Sequence, residues 1–566
     1  MKNRGGSKYS ALLFLAAFVV ALIFSAPQVR STQDESSYPP AEVPQRSDIG
    51  PVKVSDPVVV KGLTALARWD LAAADDIADQ LKREGRFSEP ETLFFRAWLE
   101  YFHGDYAASL KILKELNLQA KSVNIGQLID RVEKLTRVMG EVQSFESEHF
   151  VIRVVPGVDE VLISDAIDTL ERAYDVFTVD LDVRPTSKVV LEVFPTFEAF
   201  EWATGLTEKD VETTGTVAVC KFARLMITTP RALLRGYAWR DTVSHEFVHY
   251  LIFLRAGYNC PIWLHEGIAK YQEKRWRMPE GGWLSPSSQS ILAAAIKADS
   301  LIPFEEMEPS FAKLPSARAG QLAFAEVTMC VKYMVQRDGF DLILKLLDRL
   351  DANSNWRKAV TAEMGEPFDT FMKKWKGFLK TSDFIEIKGI DIEGVKIRKG
   401  EAEEGDEDVE EATPAKGKDD SGQRYSRLGD LLRGQGRTKA AVVEYRKALE
   451  SSPNSLYLLN RTAQMLMKQG DLDAAIPLLE KAEQLYPDYY PATFKRLGVI
   501  YMVKKDWTKA KPCLEQSVNL NPYDPEVQSL LFEVYSKLGL EKEKKLTERK
   551  LNILVQNSIN LGRTAR

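Results

Sequence analysis

The chain has 566 residues, of which 45% are hydrophobic and 28% charged, and its formal net charge is −5. This balance is typical of a soluble globular protein of several domains, and it argues against a polytopic membrane protein or extensive disorder. Because no basic excess exists to neutralise a phosphate backbone, we do not expect a nucleic acid partner. The 4 cysteines are too few for a disulfide scaffold. Cys220 and Cys260 would pair only if the fold brought them within bridging range.

The first 57 residues have the pattern of an export signal followed by a tether. An apolar run from Ala11 to Phe24 follows a basic start and is too short to span a bilayer comfortably. Residues 1–25 are therefore predicted to be a signal peptide or an uncleaved N-terminal anchor, and a buried cytosolic helix is the third interpretation. The expected location is periplasmic or secreted, with membrane contact only if the segment stays uncleaved. Residues 26–57, rich in Ser and Pro, are a predicted disordered tether.

The next segment, residues 58–140, has a helical pattern. The stretches Asp70–Ala74 and Asp105–Ser109 resemble each other and recur at about the interval of a tetratricopeptide repeat. The pattern fits such repeats and simple helical hairpins equally well.

Residues 141–385 are predicted to form a mixed α+β domain in which strands come first and helices later. The predicted elements are a strand at 150–155, a helix at 164–178, a strand at 188–194, a strand or hairpin at 214–228, helices at 243–254 and 263–275, and a helical stretch from 287 to 379. An acidic run within residues 386–422 is predicted to be a solvated linker.

Residues 423–556 contain a clear internal period. Small residues recur at Gly429, Ala463 and Gly498, and a proline closes each unit at Pro453, Pro487 and Pro522. This pattern resembles the tetratricopeptide repeat family, which implies stacked helical hairpins with a concave groove for a protein partner. The alternative is a stack that only packs against the preceding domain.

The residues that indicate chemistry are His245-Glu246-Phe247-Val248-His249. On a helix, residues four positions apart lie on one face, so both imidazoles can reach a single zinc ion. Glu246 follows the first histidine and can face the water on that ion without being a ligand. The chain has only 5 histidines, and two of them fall in this pentapeptide.

A third zinc ligand is predicted at Glu266, in the segment Trp263–Tyr271. A catalytic zinc takes three protein ligands and keeps one position open for water. The spacing from His249 lets the first helix end, the chain turn and a second helix run alongside. The small residues Gly267 and Ala269 permit close approach of that helix.

His-Glu-x-x-His followed by Pro-x-Trp-Leu-x-Glu-Gly-x-Ala-x-Tyr resembles the gluzincin metallopeptidases, in particular peptidase-MA-like domains of bacterial proteins. The resemblance covers about residues 150–379 and implies an α+β zincin-like catalytic domain flanked by all-α helical repeats. It implies that zinc is held by His245, His249 and Glu266, with Glu246 as general base. It also implies an edge strand lying antiparallel to bound substrate, with residues 215–227 as the candidate.

The sequence departs from that family where an oxyanion donor is expected. Family members often carry a tyrosine where this chain has Phe324, which cannot stabilise an oxyanion. Tyr333 and Tyr271 are the candidate replacements. Neighbouring helix residues point about 100° apart, so His265 and Glu266 are not expected to bind the same ion. His265 is therefore predicted to have a packing role or to lie at the polar rim of the site.

A second departure concerns the carboxylate that steadies a metal-binding histidine in some gluzincins. Lys270 occupies that position here, four residues after Glu266. Asp241, one turn before His245, is the candidate substitute, and its alternative role is a helix N-cap.

Together these features predict an exported zinc metallopeptidase that hydrolyses a peptide or unfolded-protein substrate and binds a protein partner through its repeats. One alternative is a catalytically weak or inactive zincin-fold scaffold that acts through the repeat groove. Another is an envelope quality-control factor similar to exported proteases that also join a zincin to such repeats.

Overall fold

The computed structural model describes residues 54–564 except 121–122, 309, 312–313, 351–354, 391–394 and 399–419. The predicted signal segment and the acidic run therefore lie outside the described residues. No helix in the described part of the chain is long and apolar enough to cross a membrane. A small mixed sheet with its helices forms the centre, and helical hairpins follow it, so the predicted fold class is confirmed.

Five helices precede the sheet, as the pattern of residues 58–140 predicts. They are α1 (Pro57–Ala67), α2 (Leu71–Arg83), α3 (Pro90–His103), α4 (Tyr106–Gln119) and α5 (Val123–Met139). The recurring aspartates begin equivalent helices, because Asp70 accepts a hydrogen bond from the Ala73 amide and Asp105 from the Ala108 amide.

The sheet has five strands in the order β1-β2-β3-β5-β4. They are β1 (Gln143–Glu146), β2 (Phe150–Val154), β3 (Val189–Phe194), β4 (Ala218–Lys221) and β5 (Arg224–Thr228). The central strands β2, β3 and β5 are parallel, and β1 and β4 are antiparallel edges. The hairpin predicted within residues 214–228 is β4–β5, but β5 lies inside the sheet. Within this hairpin only β4 therefore lies at an edge of the sheet, and the edge strand predicted at 215–227 was too long.

The helices that position the site surround this sheet. They are α6 (Ile163–Asp180), α7 (Phe197–Thr204), α8 (Glu208–Thr214), α9 (Trp239–Ala256) and α10 (Ile262–Gln272). Apolar side chains of α6 and α9 share one core with the sheet residues Ile152, Leu191 and Ile227. On the opposite face, Phe194 and Met226 share a second core with the N-terminal helices. The sheet is thus covered on both faces.

A buried ion pair lies between the sheet and the N-terminal helices. Arg224 and Glu192 are each 1% exposed, and their side chains meet at 2.6 Å. The Tyr106 hydroxyl also donates to Glu192, and Arg224 donates to the Tyr101 carbonyl. This network joins α3 and α4 to β3 and β5.

Five further helices follow α10, in agreement with the predicted helical stretch: α11 (Pro286–Ala298), α12 (Ala317–Asp338), α13 (Asp341–Arg349), α14 (Trp356–Met364) and α15 (Phe368–Thr381). Glu326 on α12 is fully buried, and burial raises its pKa to about 8.

This raised pKa predicts a pH-dependent stability. The carboxyl ionises near its ordinary pKa when the chain is unfolded, so the free energy of unfolding should fall as pH rises from about 5 to about 8. In Glu326→Gln this fall in the free energy of unfolding should disappear. The melting temperature of the variant, relative to that of wild type, should therefore rise as pH increases across that range. The exposed Glu306→Gln is the control. A difference between Glu326→Gln and wild type that does not change with pH would contradict the prediction.

The C-terminal helices form stacked hairpins, as the internal period predicts. They are α16 (Asp420–Gly434), α17 (Thr438–Ser451), α18 (Leu456–Lys468), α19 (Leu472–Leu485), α20 (Pro491–Val503), α21 (Trp507–Leu520), α22 (Pro525–Leu538) and α23 (Glu541–Thr564). The small residues lie where paired helices cross, since a Cβ on Gly429 or Gly498 would come within 2.5 Å of Tyr445 or Leu514. We call α16–α23 the repeat stack.

The repeat stack packs directly against the α+β region. Tyr523 and Leu554 belong to the same buried core as the sheet. Lys550 on α23 pairs with Asp165 on α6 at 2.6 Å.

Candidate metal centre

The two histidines of the His-Glu-x-x-His pattern lie on one face of α9. Their rings are 4.6 Å apart between centroids and nearly perpendicular. The Nε2 atoms of His245 and His249 lie 3.4 and 3.5 Å from the same Glu266 oxygen, Oε2. The structure thus brings the three predicted ligands to one point.

The position of Glu266 depends on how closely α10 approaches α12. A Cβ on Gly267 would lie 2.8 Å from the Val327 carbonyl oxygen, so only glycine fits this crossing. Trp263, one turn earlier, is fully buried and stacks on Phe304 at 4.7 Å. These contacts fix the side of α10 that faces α9, and Glu266 lies on it.

Charge in the centre is set by burial and by mutual contacts. Burial opposes ionisation of Glu266, but the two histidines outweigh it and hold its pKa well below the ordinary range. Burial also disfavours protonated His245, yet the contacts with Glu266 and Glu273 raise its pKa to about 9. The cluster therefore stabilises positive charge at the point where the three side chains meet.

Glu246 lies beside the histidines and faces the edge strand. His245, Glu246 and His249 each offer a ligand atom within 4.8 Å of the others. Burial raises the pKa of Glu246, although both histidines and a hydrogen bond from the Cys220 backbone oppose that shift. Its Oε2 is buried and has no hydrogen-bond partner within the described part of the chain.

The donor set fits zinc. Two imidazoles and a carboxylate are the ligands of one common class of catalytic zinc site. Among the residues that the structure describes, none hydrogen-bonds to the buried Oε2 of Glu246, and a protein core does not normally leave such an atom unsatisfied. A bound ion with its water would satisfy Glu246.

The carboxylate that contacts His245 from behind is Glu273, which the sequence reasoning missed. Its Oε2 lies 3.3 Å from His245 Nδ1 and 2.8 Å from Lys270 Nζ. Glu273 stands seven residues after Glu266, which is about two helical turns, so both project from the same side. The spacing of Glu266 and Glu273 was the feature of the sequence that could have identified Glu273. Lys270 forms an ion pair with its carboxylate.

Both roles predicted for Asp241 were wrong. The residue at the N-cap of α9 is Ala238, and Asp241 lies in the first turn. Its carboxylate accepts hydrogen bonds from Trp276 and Arg277 and lies 3.4 Å from Lys274. Asp241 therefore ties the N-terminus of α9 to the segment that follows α10.

The remaining candidate residues from the sequence lie at different places around the metal centre and in the surrounding core. His265 stacks on His249 with ring centroids 4.3 Å apart, and burial beside His249 lowers its pKa to about 3. Phe324 lies against Lys270. The candidate oxyanion donors pack among aromatic rings, Tyr333 against Phe371 and Phe378, and Tyr271 against Phe340. Cys220 and Cys260 are both free thiols.

Family comparisons agree with this geometry. Residues 178–381 match the Peptidase MA superfamily, and residues 426–490 and 466–531 match two tetratricopeptide repeat families. The chain thus contains a Peptidase MA superfamily domain followed by tetratricopeptide repeats, as the resemblance predicted. The narrower gluzincin assignment and the repeat interpretation of residues 58–140 stay predictions. No curated protein matches the chain.

Three solved structures show a weak likeness to the chain or to part of it. The MamA protein is 22% identical, over 24% of this chain and 74% of its own, with a TM-score of 0.23. A thermophilic TPR protein of Thermus thermophilus is 21% identical, over 25% of this chain and 98% of its own, with a TM-score of 0.16. Yeast LTA4 hydrolase in complex with bestatin is 10% identical, over 72% of this chain and 67% of its own, with a TM-score of 0.28. These scores are low, and the classes of the two parts rest on the family matches.

Proposed function

We propose that this chain is an exported zinc-dependent metallopeptidase that hydrolyses peptide bonds in a peptide or unfolded-protein substrate. The observation that carries the proposal is the convergence of His245, His249 and Glu266 on one point beside Glu246. Membership of residues 178–381 in the Peptidase MA superfamily supports it. Export is supported by the basic and apolar N-terminal pattern.

In this proposal His245, His249 and Glu266 hold the zinc ion. When bound, the ion would act as a Lewis acid that activates water and polarises the peptide carbonyl. Glu246 accepts the proton of the attacking water at its buried carboxylate and delivers it to the leaving nitrogen. Its raised pKa suits a group that carries the proton between these two steps.

The edge strand β4 is the proposed backbone partner of the substrate. It pairs with β5 on one side and ends the sheet on the other. An extended peptide can add to such an edge by main-chain hydrogen bonds. Glu246 receives a hydrogen bond from the Cys220 backbone of this strand, so a peptide bound there would lie beside the general base.

The repeat stack is the proposed site for a protein partner or for substrate delivery. Tetratricopeptide repeats commonly bind peptides or proteins on their concave surface. The two repeat family matches support this role.

Glu273→Gln tests how the histidines are oriented. We expect zinc affinity to fall by about 10-fold to 100-fold, because a neutral amide cannot hold the His245 ring as the carboxylate does. Competition with a chromophoric chelator measures this. Glu148→Gln, at an exposed position, is the matched control. Equal affinity in Glu273→Gln and wild type would show that Glu273 does not orient the ligand.

The proposed activity is tested with the purified mature chain and a reduced, unfolded protein as substrate. We expect cleavage fragments by mass spectrometry, their loss after zinc removal by a chelator, and their return when zinc is added back. Fragments that persist at the same rate in the chelated protein would overturn a zinc-dependent mechanism.

One observation favours an inactive scaffold as the second candidate. Phe324 has no hydroxyl, and Tyr333 and Tyr271 pack among aromatic rings. A chain that binds zinc but cleaves neither unfolded proteins nor a peptide library would support the scaffold. Repeat-dependent retention of unfolded protein would then be its function.

A further inference from the structure

Two turns of the repeat stack contact the polypeptide on either side of the metal centre. The first turn, residues 486–490, joins α19 to α20, and the second turn, residues 521–524, joins α21 to α22. Each lies where one hairpin passes to the next.

The second turn and the end of α21 hold the loop that leads from β5 into α9. The hydroxyls of Tyr523 and Thr229 both donate to Asp159 at 2.7 Å, and all three residues are buried. The Tyr237 amide donates to the Leu520 carbonyl. Gly236 has a φ of +65°, and a Cβ there would collide with the same carbonyl oxygen. The loop before α9 therefore packs closely against the repeat stack.

The first turn reaches the segment that follows α10. Asp488 Oδ2 lies 2.6 Å from Lys274 Nζ, and the Lys274 side chain is 7% exposed. Lys274 directly follows Glu273, the carboxylate behind His245. The Ser244 hydroxyl on α9 donates to the Glu273 carbonyl, so this segment is also tied to the histidine helix.

A cleft of about 220 Å³ opens at this junction. Its walls include Lys270, Glu273, Lys274, Phe324 and Asp488. The last of these belongs to the repeat stack. The stack thus forms part of the surface beside the metal centre.

We propose that the repeat stack is a built-in support of the metal centre, and that Asp488 is a positioning residue acting through Lys274 and Glu273 on His245. This inference rests on the proposed zinc site. Pairing with Asp488 holds the Lys274 ammonium at the edge of the cleft. Without that partner, the carboxylates close to it among the described residues are Asp241 and Glu273.

A buried ammonium that loses one partner is costly, so Lys274 would move towards Asp241, whose carboxylate lies 3.4 Å from it. Because Lys274 directly follows Glu273, this movement would shift the Glu273 carboxylate away from His245. The histidine would lose the contact that fixes its ring, and the metal would bind less tightly.

The test uses the full mature chain with Asp488→Asn, which preserves the shape of the side chain. We expect zinc affinity to fall about tenfold and the visible spectrum of the cobalt-substituted protein to change, because a ligand is misoriented. Asp473→Asn is the matched control, since Asp473 pairs with Lys504 inside the stack. Thermal unfolding establishes that each variant is folded.

A second variant separates this route from a general loosening of the interface. If the effect passes through the Lys274 ammonium, Asp488→Asn should weaken zinc binding in wild type but not in a Lys274→Met background. Unchanged zinc affinity and cobalt spectrum in Asp488→Asn would overturn the inference, as would an equal loss in both backgrounds. Neither outcome bears on the proposed function, which is tested separately by the zinc content of the wild-type chain and by its zinc-dependent cleavage of an unfolded protein.

Discussion

Glu246→Gln is expected to abolish most peptide hydrolysis while leaving zinc binding intact. The amide keeps the size of the side chain but cannot accept the proton of the attacking water, and general-base catalysis contributes a factor of about 10² to about 10⁴. Glu246 lies beside the histidines, whereas Glu266 is the carboxylate that contacts both Nε2 atoms. Rates of peptide cleavage and zinc content on the same preparation measure the two effects.

Glu280→Gln, at an exposed position of the same domain, is the control and should cleave at the wild-type rate. Cleavage by Glu246→Gln at a rate close to wild type would contradict the proposed mechanism. Loss of zinc in the same variant would instead make Glu246 a ligand.

Glu192→Leu is expected to lower the free energy of unfolding by about 3 to 5 kcal/mol. The substitution leaves the Arg224 guanidinium buried between the sheet and the N-terminal helices without its carboxylate. Replacing both partners, as Glu192→Leu with Arg224→Met, should recover much of the loss because no unpaired charge remains. Urea unfolding followed by tryptophan fluorescence measures the three proteins.

The exposed pair of Lys134 and Asp130 gives the reference for that experiment. Asp130→Ala should change the free energy of unfolding by less than about 1 kcal/mol, as surface ion pairs do. A single Glu192→Leu effect as small as this would show that the N-terminal helices do not depend on the buried pair.

Local patterns in the sequence were enough to predict that His245, His249 and Glu266 lie together. The spacing of His245 and His249 needs only the geometry of one helix, and Glu266 lies in a motif that continues along the chain. The repeat hairpins were equally predictable, since each small residue at a helix crossing recurs with the period of the unit.

The features that were missed depend on contacts between distant parts of the chain. The pairing of Lys274 with Asp488 joins residues of two different domains, and no local pattern encodes it. Asp241 looked like a support for His245 because it lies one turn away. In the folded chain it faces Trp276 and Arg277, and the carboxylate beside His245 Nδ1 is that of Glu273.

The central claim is that three side chains of this chain hold one zinc ion, and metal content tests it most directly. We expect mass spectrometry of the purified mature protein to find about one zinc per chain. In Glu266→Ala that zinc should be lost, because the carboxylate that meets both histidines is gone. A folded, freshly purified wild-type protein without zinc, or an Ala variant that retains it fully, would contradict the account.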